Sequence, residues 1–153
     1  MWDTGSAKLH RGPNYCQINF VEFPLEVLVK PEGSQEPRRI IYHIPIDPAF
    51  TIRAVDFFFG HDRGDRFEMD CSIYGADDWF IARRIEESEV TNREASKLVP
   101  LPLPVRTKHL TIYTTCRVTG ESLIEQREHG SHAKHPGWRG VFDMNLILIG
   151  STL

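Results

Sequence analysis

The chain has 153 residues, of which 41% are hydrophobic and 25% charged, and its formal net charge is -3. This length suits one domain with its own core, so we expect a single domain over residues 1–153. The slightly acidic balance argues against a nucleic-acid partner, because such binders use Lys and Arg to neutralise phosphates. We expect neither a transmembrane segment nor a signal peptide, since no long apolar run is present.

The three cysteines, Cys16, Cys71 and Cys116, cannot all pair within one chain. Cys71 alternates with polar neighbours on an apolar strand face, which predicts a buried free thiol. A disulfide between Cys16 and Cys116 stays open from the sequence. The absence of a Cys-x-x-Cys pair disfavours thiol redox chemistry and a zinc knuckle.

The stretch 51–85 predicts three successive strands. Apolar residues recur on one face, first at Ile52, Val55, Phe57 and Phe59, then at Phe67, Met69, Cys71 and Ile73. Strict alternation with polar residues is typical of a strand that has one face in a core and one face in water. After a turn at 75–78, Trp79 and Ile81 open the third strand, which alternates to Ile85.

The flanking regions extend the same pattern. Strands are predicted at 15–23, 38–46, 106–115 and 140–149, and residues 25–29 form an edge segment after Pro24. Residues 86–96 favour a short exposed helix or an ordered loop. Prolines at 100, 102 and 104 exclude a helix and also a central strand. With the long polar loop 119–137, the chain shows about eight strands, which predicts an all-β sandwich or barrel.

A series of short segments also follows the order of motifs in one known family. They are Ile52-Arg-Ala-Val, Arg66-Phe-Glu-Met, Ser72-Ile-Tyr-Gly-Ala-Asp-Asp-Trp79, Val105-Arg-Thr-Lys-His-Leu-Thr-Ile, Trp138 with Phe142 to Gly150, and Trp2-Asp-Thr-Gly. Together they resemble discoidin-type domains, also called coagulation factor 5/8 C-terminal domains, which include many galactose-binding-like carbohydrate-binding modules. The turn before Trp79 departs from the family's Asp-Gly, and Asn145 replaces its usual Glu. The family pattern implies that Trp79 packs in the core.

The resemblance implies a jelly-roll β-sandwich that binds ligands through loops at one end. It implies an extracellular or cell-surface location, and a structural Ca²⁺ is the cofactor that such domains would carry. The partner it implies is a glycan or an anionic polysaccharide, bound by a module that stands alone or is appended to a larger protein such as a carbohydrate-active enzyme. The alternative is a protein- or lipid-binding adhesion or assembly module of the same fold.

Two loops carry the side chains that we expect to bind the ligand. Their guanidinium, imidazole and carboxylate groups suit sugar hydroxyls or the carboxylate of a uronic acid, and an indole offers a plane for stacking a sugar ring. The candidates are His61, Asp62, Arg63 and Arg66 in the first loop, and His129, His132, His135, Trp138 and Arg139 in the second. A surface ion pair between Arg63 and a neighbouring Asp is the simpler alternative for the first loop.

The three histidines of the second loop recur every third residue, and imidazoles in such a loop could also bind zinc or copper. No second cluster completes a metal site, so sugar contacts or a solvated loop are the preferred interpretations. No nucleophile elbow, His-Glu-x-x-His motif or phosphate-binding glycine loop occurs. The sequence therefore favours a non-catalytic carbohydrate-binding module over an enzyme.

Overall fold

The computed structural model describes residues 1–28, 37–61, 66–88, 94–120 and 139–153. Their strands are β1 Asp3–Thr4, β2 Ala7–Arg11, β3 Tyr15–Phe20, β4 Leu25–Leu28, β5 Arg38–His61, β6 Arg66–Tyr74, β7 Phe80–Ser88, β8 Glu94–Gly120 and β9 Arg139–Ser151. A single 3-10 turn, Ala76–Asp78, joins β6 to β7. No helix in these ranges has the length and hydrophobicity of a membrane span.

The long strands β5 and β8 each contribute to two layers. The first half of β5 pairs with the second half of β8, and the second half of β5 pairs with the first half of β8. The register shifts twice along this ladder, between Pro45 and Phe50 and between Ile52 and Ala54. Such irregularities bend a paired ribbon, so one continuous set of strands can fold back over itself.

The first layer contains β6, β7 and the paired halves of β8 and β5, with β1 at the margin of β5. The second layer contains β2, β3, β9 and the other halves of β5 and β8, and β4 pairs with β9. Side chains meet between the layers: the rings of Phe20 and Tyr42 lie 4.5 Å apart, and those of Phe67 and Phe142 lie 6.2 Å apart. The expected all-β jelly-roll sandwich is therefore confirmed.

The predicted inward faces are confirmed in β5 and β6. Every alternating apolar residue of these strands is buried, from Ile40 to Ile46, from Ile52 to Phe59 and from Phe67 to Ile73. A strand with period two can bury only one face, so the intervening residues of β6 point to solvent on the outer surface of the first layer.

The third predicted strand differs in its inward face. Ile73 pairs with Ala82 but Tyr74 pairs with Phe80, so Ile81 is an extra residue in β7. This bulge resets the alternation, because residues beyond it exchange faces. As a result Arg84 is buried, with 4% exposure, and Ile85 is half exposed.

The prediction that Trp79 packs in the core is wrong, because 67% of this residue is exposed. The expected helix or loop at 86–96 is also replaced by strand at 86–88 and 94–96, while 89–93 lie outside the described residues. The proline segment belongs to β8, where residues 101–104 form a bulge between Pro100 opposite Ala54 and Val105 opposite Ile52.

All three cysteines are buried free thiols. Burial raises the pKa of Cys16, Cys71 and Cys116. The folded chain therefore keeps these groups neutral, which fits their position among apolar side chains.

The pH dependence of stability should follow from these thiols. Thiols of the unfolded chain ionise near pH about 8.5, whereas the buried thiols of the folded chain keep their protons. Above that pH the folded state therefore binds more protons than the unfolded state. The free energy of unfolding should then fall between about pH 8.5 and 10, by up to ~1.4 kcal/mol per thiol and pH unit. Urea titrations across this pH range measure how the free energy of unfolding changes with pH. A triple Cys→Ala variant with the same slope as the parent would contradict the assignment.

Arg84 provides a second stability prediction. Its Nη1 donates to the carbonyl oxygens of Phe57 at 2.8 Å and Ala95 at 2.9 Å, and its Nη2 lies 3.5 Å from Glu86 Oε2. The guanidinium also lies 4.4 Å from the centre of the Phe59 ring. Arg84→Ala should lower the free energy of unfolding by about 3–5 kcal/mol, because it leaves the buried polar groups around Arg84 without their hydrogen-bonding partner.

The adjacent Arg83 is the matched control, since its side chain is 49% exposed. Arg83→Ala should cost less than about 1 kcal/mol, as exposed ion pairs do. Chemical denaturation of both variants measures the difference. Equal losses would show that Arg84 does not hold the two layers together.

Candidate functional site

The two predicted ligand loops begin and end at neighbouring strands. His61 closes β5 and pairs with Phe142 in β9, three residues after Arg139. Arg66 opens β6 opposite Gly120, where β8 ends. The structure thus places His61, Arg66 and Arg139 at ends of strands that border both loops.

His61 itself lies inside, with 7% exposure, and its ring centre is 3.8 Å from that of Phe67. Little of its surface faces outward, which the sequence did not indicate. Asp62, Arg63, His129, His132, His135 and Trp138 lie outside the described residues, so their role in ligand binding stays a prediction. Within the described ranges, no group of three or more metal-ligating side chains comes together.

The described residues form a different concave site on the outer surface of the first layer. It is a cleft of about 420 Å³, within the range of ligand sites. We call it the sheet-face groove, and its lining residues are Trp2, Asp70, Ser72, Tyr74, Asp78, Arg83, Tyr113 and Thr115.

Strand register explains why these residues meet. Asp70, Ser72 and Tyr74 alternate with buried residues of β6 and therefore share its outward face. Ser72 pairs with Tyr113 in β8 and with Arg83 in β7, so three strands contribute to one row. β1 pairs with the first half of β5 next to β8, which brings Trp2 over the row.

Aromatic rings form one side of the groove. Trp2 meets Tyr113 edge to face at 5.3 Å, and Tyr74 meets Tyr113 perpendicularly at 5.6 Å. Such perpendicular contacts are favourable ring geometries, and each ring limits the rotation of its neighbour. Trp2 nevertheless keeps 43% of its surface exposed. The groove therefore presents aromatic rings that contact one another and remain partly exposed to solvent.

A bidentate ion pair forms the other side. Arg83 Nε donates to Asp70 Oδ1 at 3.0 Å, and Nη2 donates to Asp70 Oδ2 at 2.6 Å. The hydrogen bonds to Asp70 and its negative charge raise the pKa of Arg83. Both oxygens of the carboxylate can still accept further bonds, and the rest of the guanidinium can still donate.

The charges of the lining leave no excess of positive charge. Arg83 offsets Asp70, and Asp78 adds one exposed carboxylate, so the net charge of the groove is about -1 at neutral pH. Ser72 to Trp79 match a family motif, but no sequence pattern marks Asp70, Ser72, Tyr74 or Tyr113 as site residues. The polar residues that alternate with apolar ones in β6 could have identified the outward-facing side chains. Which residues of β8 lie beside them is set only by strand pairing.

No protein-family model matches the sequence, and no curated protein matches it. The discoidin resemblance therefore rests on the motifs alone. Solved structures with similar architecture include the carbohydrate-binding module TmCBM61 in complex with β-1,4-galactotriose, at 10% identity and a TM-score of 0.39, covering 94% of this chain and 70% of that chain.

An α-L-arabinofuranosidase, MgGH51, shows 8% identity and a TM-score of 0.41 over 94% of this chain, which corresponds to 22% of the enzyme. The VP2 subviral particle of infectious bursal disease virus shows 10% identity and a TM-score of 0.35, covering 97% of this chain and 32% of that chain. These neighbours comprise a binding module, an enzyme and a capsid protein, so the function must be argued from the residues of this chain.

Proposed function

We propose that this chain is a non-catalytic glycan-binding module and that its ligand lies in the sheet-face groove. The observation that carries the proposal is the arrangement of aromatic rings beside a bidentate carboxylate–guanidinium pair. A sugar has an apolar face of C–H bonds and a rim of hydroxyl groups, so its binding site needs both kinds of surface. The groove supplies them on a rigid sheet.

The aromatic side provides the apolar contact. Trp2, Tyr74 and Tyr113 restrain one another through the perpendicular contacts described above. Less conformational entropy is lost on binding when a side chain is already restrained. A sugar ring placed against the exposed part of these rings would exclude water from its C–H face.

The polar side provides direction. Asp70 accepts hydrogen bonds at both oxygens, and Ser72 and Thr115 carry hydroxyl groups that both donate and accept. Because Arg83 holds Asp70 in a planar, two-bond geometry, the carboxylate is positioned before the ligand arrives. Sugar hydroxyls, which donate and accept, match this mixed set.

The charge of the groove favours a neutral glycan. A uronic acid would meet Asp70 and Asp78, while the one guanidinium among the described lining residues is already paired with Asp70. Of the two ligands that the histidine- and arginine-containing loops suggest, a neutral sugar and an anionic polysaccharide, this preference favours the neutral sugar. An open site of this kind fits modest affinity, in the micromolar to millimolar range of about -8 to -4 kcal/mol. An extracellular location and attachment to a larger protein remain parts of the proposal.

Binding measurements with groove variants test the proposal. A glycan array that contains neutral and uronic-acid oligosaccharides, followed by isothermal titration, should detect binding to a neutral glycan. Tyr113→Ala and Arg83→Ala should each weaken that binding about 10-fold, or ~1.4 kcal/mol. Arg83→Ala should leave the melting temperature nearly unchanged, since an exposed pair contributes little to stability.

Tyr15→Ala is the control for the removal of a tyrosine ring, because Tyr15 is 43% exposed and lies in β3 of the second layer, away from the groove. It should bind like the parent. Absence of binding to every neutral glycan, or full binding by both groove variants in folded form, would refute the sheet-face groove as the site.

A further inference from the structure

A second concave surface lies beside the sheet-face groove. It has a volume of about 620 Å³ and runs between the 3-10 turn and the bulged segment of β8. We call it the turn-side groove, and its lining residues are Gly75, Ala76, Asp77, Trp79, Phe80, Ile81 and residues 101–107. Its apolar members include Leu103, which is 75% exposed, and Phe80, which is 54% exposed.

The turn explains why Trp79 points outward. Asp77 and Asp78 both have positive φ, 54° and 55°, a conformation that Asp tolerates better than most residues. The amide of Gly75 donates to the carbonyl of Trp79 at 2.8 Å and closes the turn. The chain therefore reverses within a few residues, and Trp79 stands at the turn and not on the inward face of β7.

The two grooves adjoin at this turn. Asp78 lines the sheet-face groove, while Asp77 and Phe80 line the turn-side groove. The ring of Phe80 lies 5.7 Å from that of Tyr74 at an angle of 69°. An aromatic contact thus connects the two surfaces. A glycan chain that extended from the sheet-face groove past Tyr74 would meet Phe80 and Trp79.

We propose that the turn-side groove is a second subsite for the same glycan chain, with Trp79 as its stacking plane. This inference rests on the proposed function of the sheet-face groove. The ligand of the module would then be an extended oligosaccharide, since a short one would fill only one groove. The contact between Tyr74 and Phe80 sets the direction in which the chain continues.

The composition of the turn-side groove defines what it would accept. Its walls of Leu, Pro, Ile and Val favour a ligand that presents an apolar face, such as the C–H face of a sugar or an acetyl substituent. The rim carries Asp77 and Arg106, which are of opposite charge. Arg106 Nη1 donates to Thr51 Oγ1 at 3.0 Å and to the carbonyl of Thr152 at 3.2 Å, so its guanidinium is anchored at the edge. Hydroxyl groups of a neutral sugar could bond to either rim residue.

Dependence on chain length tests this inference. The probe is the neutral oligosaccharide that binds the parent best, prepared from disaccharide to hexasaccharide, with affinities from isothermal titration. The parent should bind the longer members more tightly, as both grooves are filled. Trp79→Ala should leave the affinity for the shortest binding member unchanged and lower that for the hexasaccharide about 10-fold.

Tyr113→Ala separates the two proposals, because it should weaken binding at every length. If Trp79→Ala binds every member like the parent while Tyr113→Ala does not, the second subsite is wrong and the first stands. If the parent binds no neutral glycan, the proposed function itself fails. If Trp79→Ala instead abolishes self-association or binding of an apolar peptide without changing glycan affinity, the turn-side groove is a protein surface and the inference is overturned.

Discussion

The fold depends on the antiparallel ladder between β5 and β8, because these two strands supply hydrogen-bonding partners to both layers. Their pairing runs from Arg38 opposite Cys116 to Gly60 opposite Glu94 and shifts register where the ribbon bends. β6 then attaches to one half of β8, and β9 attaches to one half of β5. Bending one continuous ladder brings the two inner faces together and creates the core. Arg84 joins the layers again at β7, by bonding to carbonyl oxygens of β5 and β8.

The same alternation that builds the core also builds the outer groove. In β6, Met69, Cys71 and Ile73 point inward and are fully buried, so Asp70 and Ser72 must point outward. A substitution that shifted the register by one residue would move the groove residues into the core and the core residues to the surface. The core and the lining of the sheet-face groove therefore depend on the same strand register.

The outer surface divides into two regions of different chemistry on either side of the 3-10 turn. The sheet-face groove combines rings with an ion pair and hydroxyl groups, whereas the turn-side groove is mostly apolar. A sugar chain has both characters along its length, so the extended glycan that we propose as ligand would match both surfaces. The left-handed backbone of Asp77 and Asp78 is the local feature that separates them.

The sequence by itself determined the strands and the inward faces of β5 and β6, because period-two alternation of apolar residues has one physical solution, burial of one face. It did not determine which outward residues become neighbours, since Ser72, Arg83 and Tyr113 are far apart in the chain and meet only through strand pairing. The tertiary structure also set the direction of two side chains against the sequence prediction. A one-residue bulge at Ile81 buried Arg84 in place of Ile85. A closed turn exposed Trp79, which the family pattern had placed in the core. In both cases the local backbone geometry, which hydrophobicity does not encode, set the direction of the side chain.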